Sequence, residues 1–291
     1  MPFGDSTSFR KRAKWMAGVS GIFRAVYEGS LTISHSQRAS HAELHLLFAK
    51  GKRPDRYAVN AFAGRLPAVS VSHDPLSSNA ADREAVWPGQ LEWLELLRDG
   101  LTFDLTGLAP GPASAFPAVA HRFDLPALPS PGEYEAMVLR PGPHLAEGAA
   151  SLPVMRELLA LGCDIVRQFD GVLAVGWGPA ATAIGRRYFE SVTSAWLDGG
   201  PFPALGLTAF VETADAALES VGLAFWIGQE LRIEPPLSAD RVAATRLAIR
   251  LVNHLVLAGG LAEDDRIIAP DGSRLVLRPS RSRALISVWR E

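Results

Sequence analysis

From residue 134 onward the hydrophobic pattern changes period repeatedly, and the order of those changes limits the folds open to the chain. Alternate residues of a strand share a face, whereas a helix returns to one face every three or four residues. Residues 134–139 read as a strand, and 151–168 carry Leu152, Met155, Leu158, Leu159 and Ile165 at helical spacing. Residues 171–176 read as a buried strand, 180–197 as a helix, and 205–211 and 221–233 as strands. The clearest helix covers 238–258: Ser238 is placed to cap it, Asp240 lies in its first turn, and Gly259-Gly260 stop it. A Pro270-Asp271-Gly272 turn then joins strands at 266–269 and 273–277, and 283–289 form a last strand. The order β-α-β-α-β-β-α-β-β-β differs from the uniform alternation of a parallel βαβ fold. It predicts an α+β (mixed α/β) protein with a mixed, largely antiparallel sheet and helices packed on one face. A duplication into two related halves is compatible with the pattern.

The first half reads less regularly. Strands are expected at 42–49 and 67–72, with a turn over 50–56. Residues 87–99 place Trp87, Leu91, Leu94 and Leu97 along one helical side, and Gly100 would end that helix before a strand at 101–105. Residues 106–133 hold six prolines, which marks a connection and the best candidate domain boundary. The expected organisation is a basic amphipathic arm over 1–30, an N-terminal α/β part over 31–105, the Pro-rich connection over 106–133, and a C-terminal α/β domain over 134–291.

Composition excludes several classes. With 291 residues, 48% of them apolar, the chain can bury a large core without disulfides. A formal net charge of −2 lacks the basic excess of a nucleic-acid binder, so no nucleic-acid partner is expected. No apolar run reaches the roughly 18 residues of a membrane span. The N-terminal basic stretch is not followed by a small-residue cleavage site, so it does not read as a secretory signal. The single cysteine, Cys163, can form neither an internal disulfide nor a cysteine zinc site, which points to a reducing compartment, the cytoplasm. It lies in an apolar helical pattern and reads as a small buried hydrophobe. Residues 8–27 read as an amphipathic helix; the first 30 residues hold five basic and two acidic side chains. Such an arm docks on the protein body or on a second copy, and an anionic membrane surface is the sharper alternative.

Three groups of residues carry possible chemistry. His41, Glu43 and His45 alternate along one strand face, with His73 and Asp74 at the end of the next strand. Histidine and carboxylate are ordinary zinc ligands. His41 and His45 are about 13 Å apart on an extended strand, so one metal takes only adjacent members, with others from elsewhere. The competing reading is a polar, solvated strand face. The second group, Gly176 to Ala180, joins a strand to a helix; it lacks the Lys-Ser/Thr of a phosphate loop and the spaced glycines of dinucleotide binding, and reads as a structural turn. The third is a Trp/Arg surface: Trp177, Trp196 and Trp226, with Arg246 and Arg250 one helical turn apart. No nucleophile elbow, zinc helix or calcium loop is present, so no cofactor is expected.

Several segments of the second half carry a resemblance. They are Glu135-Ala-Met-Val-Leu139, Gly171-Val-Leu-Ala-Val-Gly-Trp177, Phe189 to Trp196, Gly200-Pro-Phe-Pro203, Val221-Gly-Leu223 and Gln229-Glu-Leu-Arg-Ile233, followed by the long helix before the Pro-Asp-Gly hairpin. Over 134–291 the chain resembles an uncharacterised bacterial family known only as a domain of unknown function. The resemblance implies a stand-alone bacterial cytoplasmic protein and assigns no catalytic residue. A well-built core without a recognisable catalytic set favours a non-enzymatic binding or interaction protein, of the immunity or accessory kind, whose partner is another protein or a second copy. The alternative is a metal-dependent, hydrolase-like enzyme using His41, Glu43, His45, His73 and Asp74.

Overall fold

In the computed structural model, which describes residues 42–75, 93–269 and 271–291, strands from both halves of the chain meet in one sheet. The first half supplies β1 (Leu44–Ala49), helix α1 (Arg56–Ala63), β2 (Val69–His73), β3 (Trp93–Arg98) and β4 (Leu101–Thr106). The short β5 (His121–Phe123) follows, then β6 (Tyr134–Pro141), α2 (Leu152–Gln168), β7 (Val172–Trp177), β8 (Thr182–Gly185) and α3 (Arg186–Leu197). These eight strands lie in the order β2-β3-β4-β6-β1-β7-β8-β5. All neighbours run antiparallel except β5 and β8.

The remaining elements are β9 (Ala209–Glu212), β10 (Leu218–Val221), the short helix α4 (Leu223–Ile227), β11 (Glu230–Ile233) and the long helix α5 (Arg241–Ala258). The chain then forms β12 (Asp265–Ile268), β13 (Arg274–Pro279) and β14 (Leu285–Arg290). A second, six-stranded sheet has the order β12-β13-β14-β11-β10-β9, with β11 and β14 parallel. The expected α+β class with mixed, mostly antiparallel sheets is therefore what the chain forms. The arm expected at 8–27, His41, and the first part of the helix expected at 87–99 lie outside the described residues.

The boundary expected at 106–133 is corrected. β4 and β6, on either side of that segment, pair directly from Phe103 opposite Pro141 to Thr106 opposite Val138. β1 lies between β6 and β7. All the described residues fall in one compact unit. The prolines do not separate two domains; they shape an excursion that leaves the sheet and returns to it.

Local readings also change. Residues 93–98 form a strand, because Leu94 and Leu96 are buried while Trp93, Glu95 and Leu97 alternate with them. Period two wins over the apparent helical spacing of Leu94 and Leu97. Residues 182–185 form β8 rather than the start of a helix, being buried throughout as a strand closing on β7. Within 205–211 and 221–233 the chain turns and forms α4, so each expected long strand is shorter and paired. Helix α5 is capped by Asp240, whose side chain accepts from the backbone N–H groups of Val242 and Ala243. Ser238 instead donates to the carbonyl of Ala216 at 2.6 Å.

One face of the large sheet is apolar. Leu44, Leu46, Phe48, Leu94, Leu96, Phe103, Leu105, Met137 and Leu139 pack with Leu158, Leu159 and Ile165 of α2 and Phe189 of α3. Each such side chain stabilises the fold by about 1.5–3 kcal/mol when fully buried. Arg98, at the end of β3, clamps α2 through Glu157 at 2.9 Å and Asp164 at 2.6 Å. Helix α5 covers β10 and β11 with Ala244, Ala248, Leu251, Val252 and Leu255.

Candidate functional site: the polar face of the large sheet

Because strand side chains alternate, burying one face of the sheet under α2 and α3 sends the intervening residues to the other. That second face carries a row of charge. Register places His73 opposite Glu95, Glu95 opposite Asp104, and Asp104 opposite Arg140. Beyond Arg140 comes Glu43, whose Oε1 lies 3.8 Å from Arg140 Nη1. Glu43 Oε2 in turn lies 3.6 Å from His45 Nε2. Two carboxylates directly opposite one another, as Glu95 and Asp104 are, destabilise a sheet.

A cleft of about 640 Å³ opens over this row, bounded by Trp93, Glu95, Asp104, Arg140, His144 and Ser114. One wall is the turn after β6, where His144 Nε2 and Thr102 Oγ1 are hydrogen-bonded at 2.5 Å. The other is the start of the Pro-rich segment. Arg53 anchors that wall: it donates to the Gly107 carbonyl, to the Gly111 carbonyl at 2.8 Å, and to Glu135 Oε2 at 3.1 Å. The Ser114 N–H donates to the Ala136 carbonyl at 2.9 Å, tying the wall to β6.

Asp104 sits at the cleft floor with 6% of its surface exposed. Its nearest ion-pair contact is loose, Oδ2 to Arg140 Nε at 3.6 Å, and its buried Oδ1 has no hydrogen-bond partner. Burial pushes its carboxyl above the usual aspartate range; Arg140 opposes that shift and Glu95 adds to it.

The rest of the polar face is covered by the Pro-rich segment. Leu47, Ala136 and Ala174 form a small apolar patch against Phe116, Leu125, Leu128 and Tyr134. Small residues allow this close approach: a Cβ on Gly176 would stand 2.8 Å from the Phe116 ring and 3.2 Å from the Cβ of His45. Phe116 meets the His45 ring edge-on at 6.0 Å. Burial lowers the His45 pKa, with Glu43 and the Ala115 backbone acting the other way, and its Nδ1 has no hydrogen-bond partner.

The residues expected to hold a metal are only partly assembled. Glu43, His45 and His73 share this face, but His73 and Glu43 are at opposite ends of the charged row. Four strand spacings amount to about 19 Å, against metal bonds near 2 Å. Asp74 leaves the face to pair with Arg56 of α1. Among the described residues no group of three His, Cys, Asp or Glu side chains could hold a metal ion. The five-residue metal set is therefore corrected to a distributed row of charge, with His41 outside the described residues.

The expected Trp/Arg surface is corrected as well. Trp177 and Trp196 are buried at 0% and 4% exposure, and Trp226 is half-buried beside them. The rings of Trp177 and Trp226 are 5.8 Å apart, and Phe202 and Phe225 lie 4.9 and 5.3 Å from Trp226. These aromatics fill the joint between the end of β7, α3 and α4, where three apolar surfaces converge. The cation over Trp196 is Arg156, at 4.9 Å. Arg246 and Arg250 are exposed on one side of α5, as their spacing predicts. The Gly176–Ala180 segment is a structural turn, with Gly222 packed against Ala180. Cys163 is buried, and burial pushes its thiol up to about 12.

Sequence reasoning missed Trp93, Glu95, Asp104, Arg140 and His144. One signal was present: Asp104 interrupts Thr-Phe-Asp-Leu-Thr, and aspartate is depleted in strands. Comparison with protein-family models, curated proteins and solved structures finds no match. Among the described residues no helix is long and apolar enough to cross a membrane.

Proposed function

We propose that this is a binding protein whose ligand, a small polar molecule, occupies the cleft over Glu95, Asp104 and Arg140. The observation that carries the reading is the floor of that cleft. A buried carboxylate with an unpartnered oxygen costs free energy unless something completes it. A polar cleft of this size with convergent charged groups fits a small ligand. Cytoplasmic residence belongs to the same proposal and is supported by the free, buried Cys163.

The test is thermal unfolding of the full chain against a panel of small polar metabolites, with Ala113→Trp as the control. Ala113 is exposed on the cleft wall, so a tryptophan there fills the cleft and leaves the core unchanged. A ligand present at 100 times its Kd stabilises the native protein by about 2.7 kcal/mol. Stabilisation of the native protein but not of the variant supports the reading; equal shifts in both contradict it.

An enzymatic reading is favoured by one observation. A carboxyl group held above its ordinary pKa beside an arginine is the setting of a proton donor. Turnover of the bound ligand that Asp104→Asn abolishes while leaving binding intact would select it.

A further inference from the structure

We propose, resting on the reading of the cleft as a ligand seat, that the ligand presents an organic cation, an ammonium or guanidinium group on a hydrocarbon stem, to Glu95 and Asp104. Three independent features of the cleft lead there.

The first is charge. Glu43, Glu95 and Asp104 face a single guanidinium, Arg140, along the row. Arg140 is already shared between two of those carboxylates, so an incoming anion would meet an arginine in use and two acids beside it. An incoming cation would relieve the opposition of Glu95 and Asp104 across β3 and β4.

The second is unused hydrogen-bonding capacity. An ionised carboxylate offers about four acceptor sites. Asp104 Oδ1 uses none, and Glu95 Oε1 accepts from Ser72 Oγ at 2.7 Å. Ammonium and guanidinium groups are donor-only and match such acceptors.

The third is the wall. Trp93 lines the cleft, its ring backed by His73 with centroids 5.4 Å apart. An indole face attracts a cation and packs against a hydrocarbon stem. The volume of about 640 Å³ is far larger than a bare metal ion needs.

The experiment is calorimetric titration of the full-length protein at low salt with agmatine and 1,5-diaminopentane. The comparison probes are 1,5-pentanediol, glutarate, Ca²⁺ and Zn²⁺. The expected result is binding of the two amines, weakened by added salt, with no heat from the diol or glutarate. Asp104→Asn and Glu95→Gln should each weaken amine binding roughly tenfold or more, as loss of a charged hydrogen-bond partner does. Trp93→Leu should weaken it severalfold. Circular dichroism of each variant establishes that it folds. Binding of glutarate in place of the amines would overturn the cation proposal while leaving the cleft as a ligand seat. Saturable binding of a metal ion alone would do the same. Amine affinity unchanged in Asp104→Asn would also overturn it. No heat from any probe, together with no stabilising metabolite in the thermal panel, would remove both.

Discussion

Among the described residues two buried carboxylates lie in strands, Asp104 and Glu230, and they are treated in opposite ways. Glu230, at the start of β11, accepts from Ser220 Oγ at 2.5 Å and from the N–H groups of Gly222, Leu223 and Ala224 at 2.9, 3.1 and 3.2 Å. Asp104, on β4, has a loose contact with Arg140 and an oxygen with no hydrogen bond. Burial raises the pKa of both. Only at Glu230 does the fold supply donors enough to use the carboxylate: it fastens the turn into α4 and ties β10 to β11. Burial alone therefore does not mark a functional group. Under the proposed function, what sets Asp104 apart is the hydrogen bond that the fold leaves unmade at the floor of a cleft.

The comparison can be broken by neutralising each carboxylate with its isosteric amide. Glu230→Gln should have the largest effect, because the new NH₂ group faces N–H donors that lose their acceptor. A loss of about 2–3 kcal/mol is expected in urea denaturation. A change within experimental error would mean that the donors around Glu230 do not depend on it.

The cover over the polar face provides the next test. Gly176→Val forces a branched side chain into the Phe116 ring and should destabilise the protein by about 1–3 kcal/mol. Adding Phe116→Ala to it should recover part of the loss. No coupling between the two substitutions would show that Phe116 does not bear on β7 in solution.

A smaller effect follows from pH. Burial lowers the pKa of His45 and of His121. Both side chains are then neutral in the folded protein at pH values where the unfolded chain, with histidines near about 6.5, begins to take up protons. Their contribution is complete above that value and is lost as the pH falls through the lower folded values. The urea midpoint should be flat from pH 8 to 7 and decline from pH 6.5 to 5, and His45→Gln should flatten the decline. An equally steep decline in the variant would assign it to other groups.

Much of the architecture was legible in the sequence, for local reasons. The helix over Leu152–Gln168, the Gly259 stop and the C-terminal hairpin depend on neighbouring residues, and each forms where its spacing predicts. The charged row was legible only in fragments. Glu43, His45 and His73 stand out as polar groups in strands, but Glu95, Asp104 and Arg140 become neighbours only through pairing of β3, β4 and β6. Nothing in the spacing of 95, 104 and 140 reveals that register. The Pro-rich segment was misread for a related reason: a stretch rich in proline reads as a linker unless the face it covers is known. The tryptophans were misassigned because tryptophan serves both interfaces and cores, and only the meeting of β7, α3 and α4 decides between them.

The most direct test of the contrast is Asp104→Asn, with stability and binding measured on the same preparation. Because burial disfavours the charged form of Asp104 and Glu95 lies opposite it, removing that charge should raise the urea midpoint at pH 7.5. It should also weaken binding of the amine probes roughly tenfold or more. A variant less stable than the native protein that binds amines with native affinity would contradict the central claim, placing Asp104 with Glu230 as a structural group.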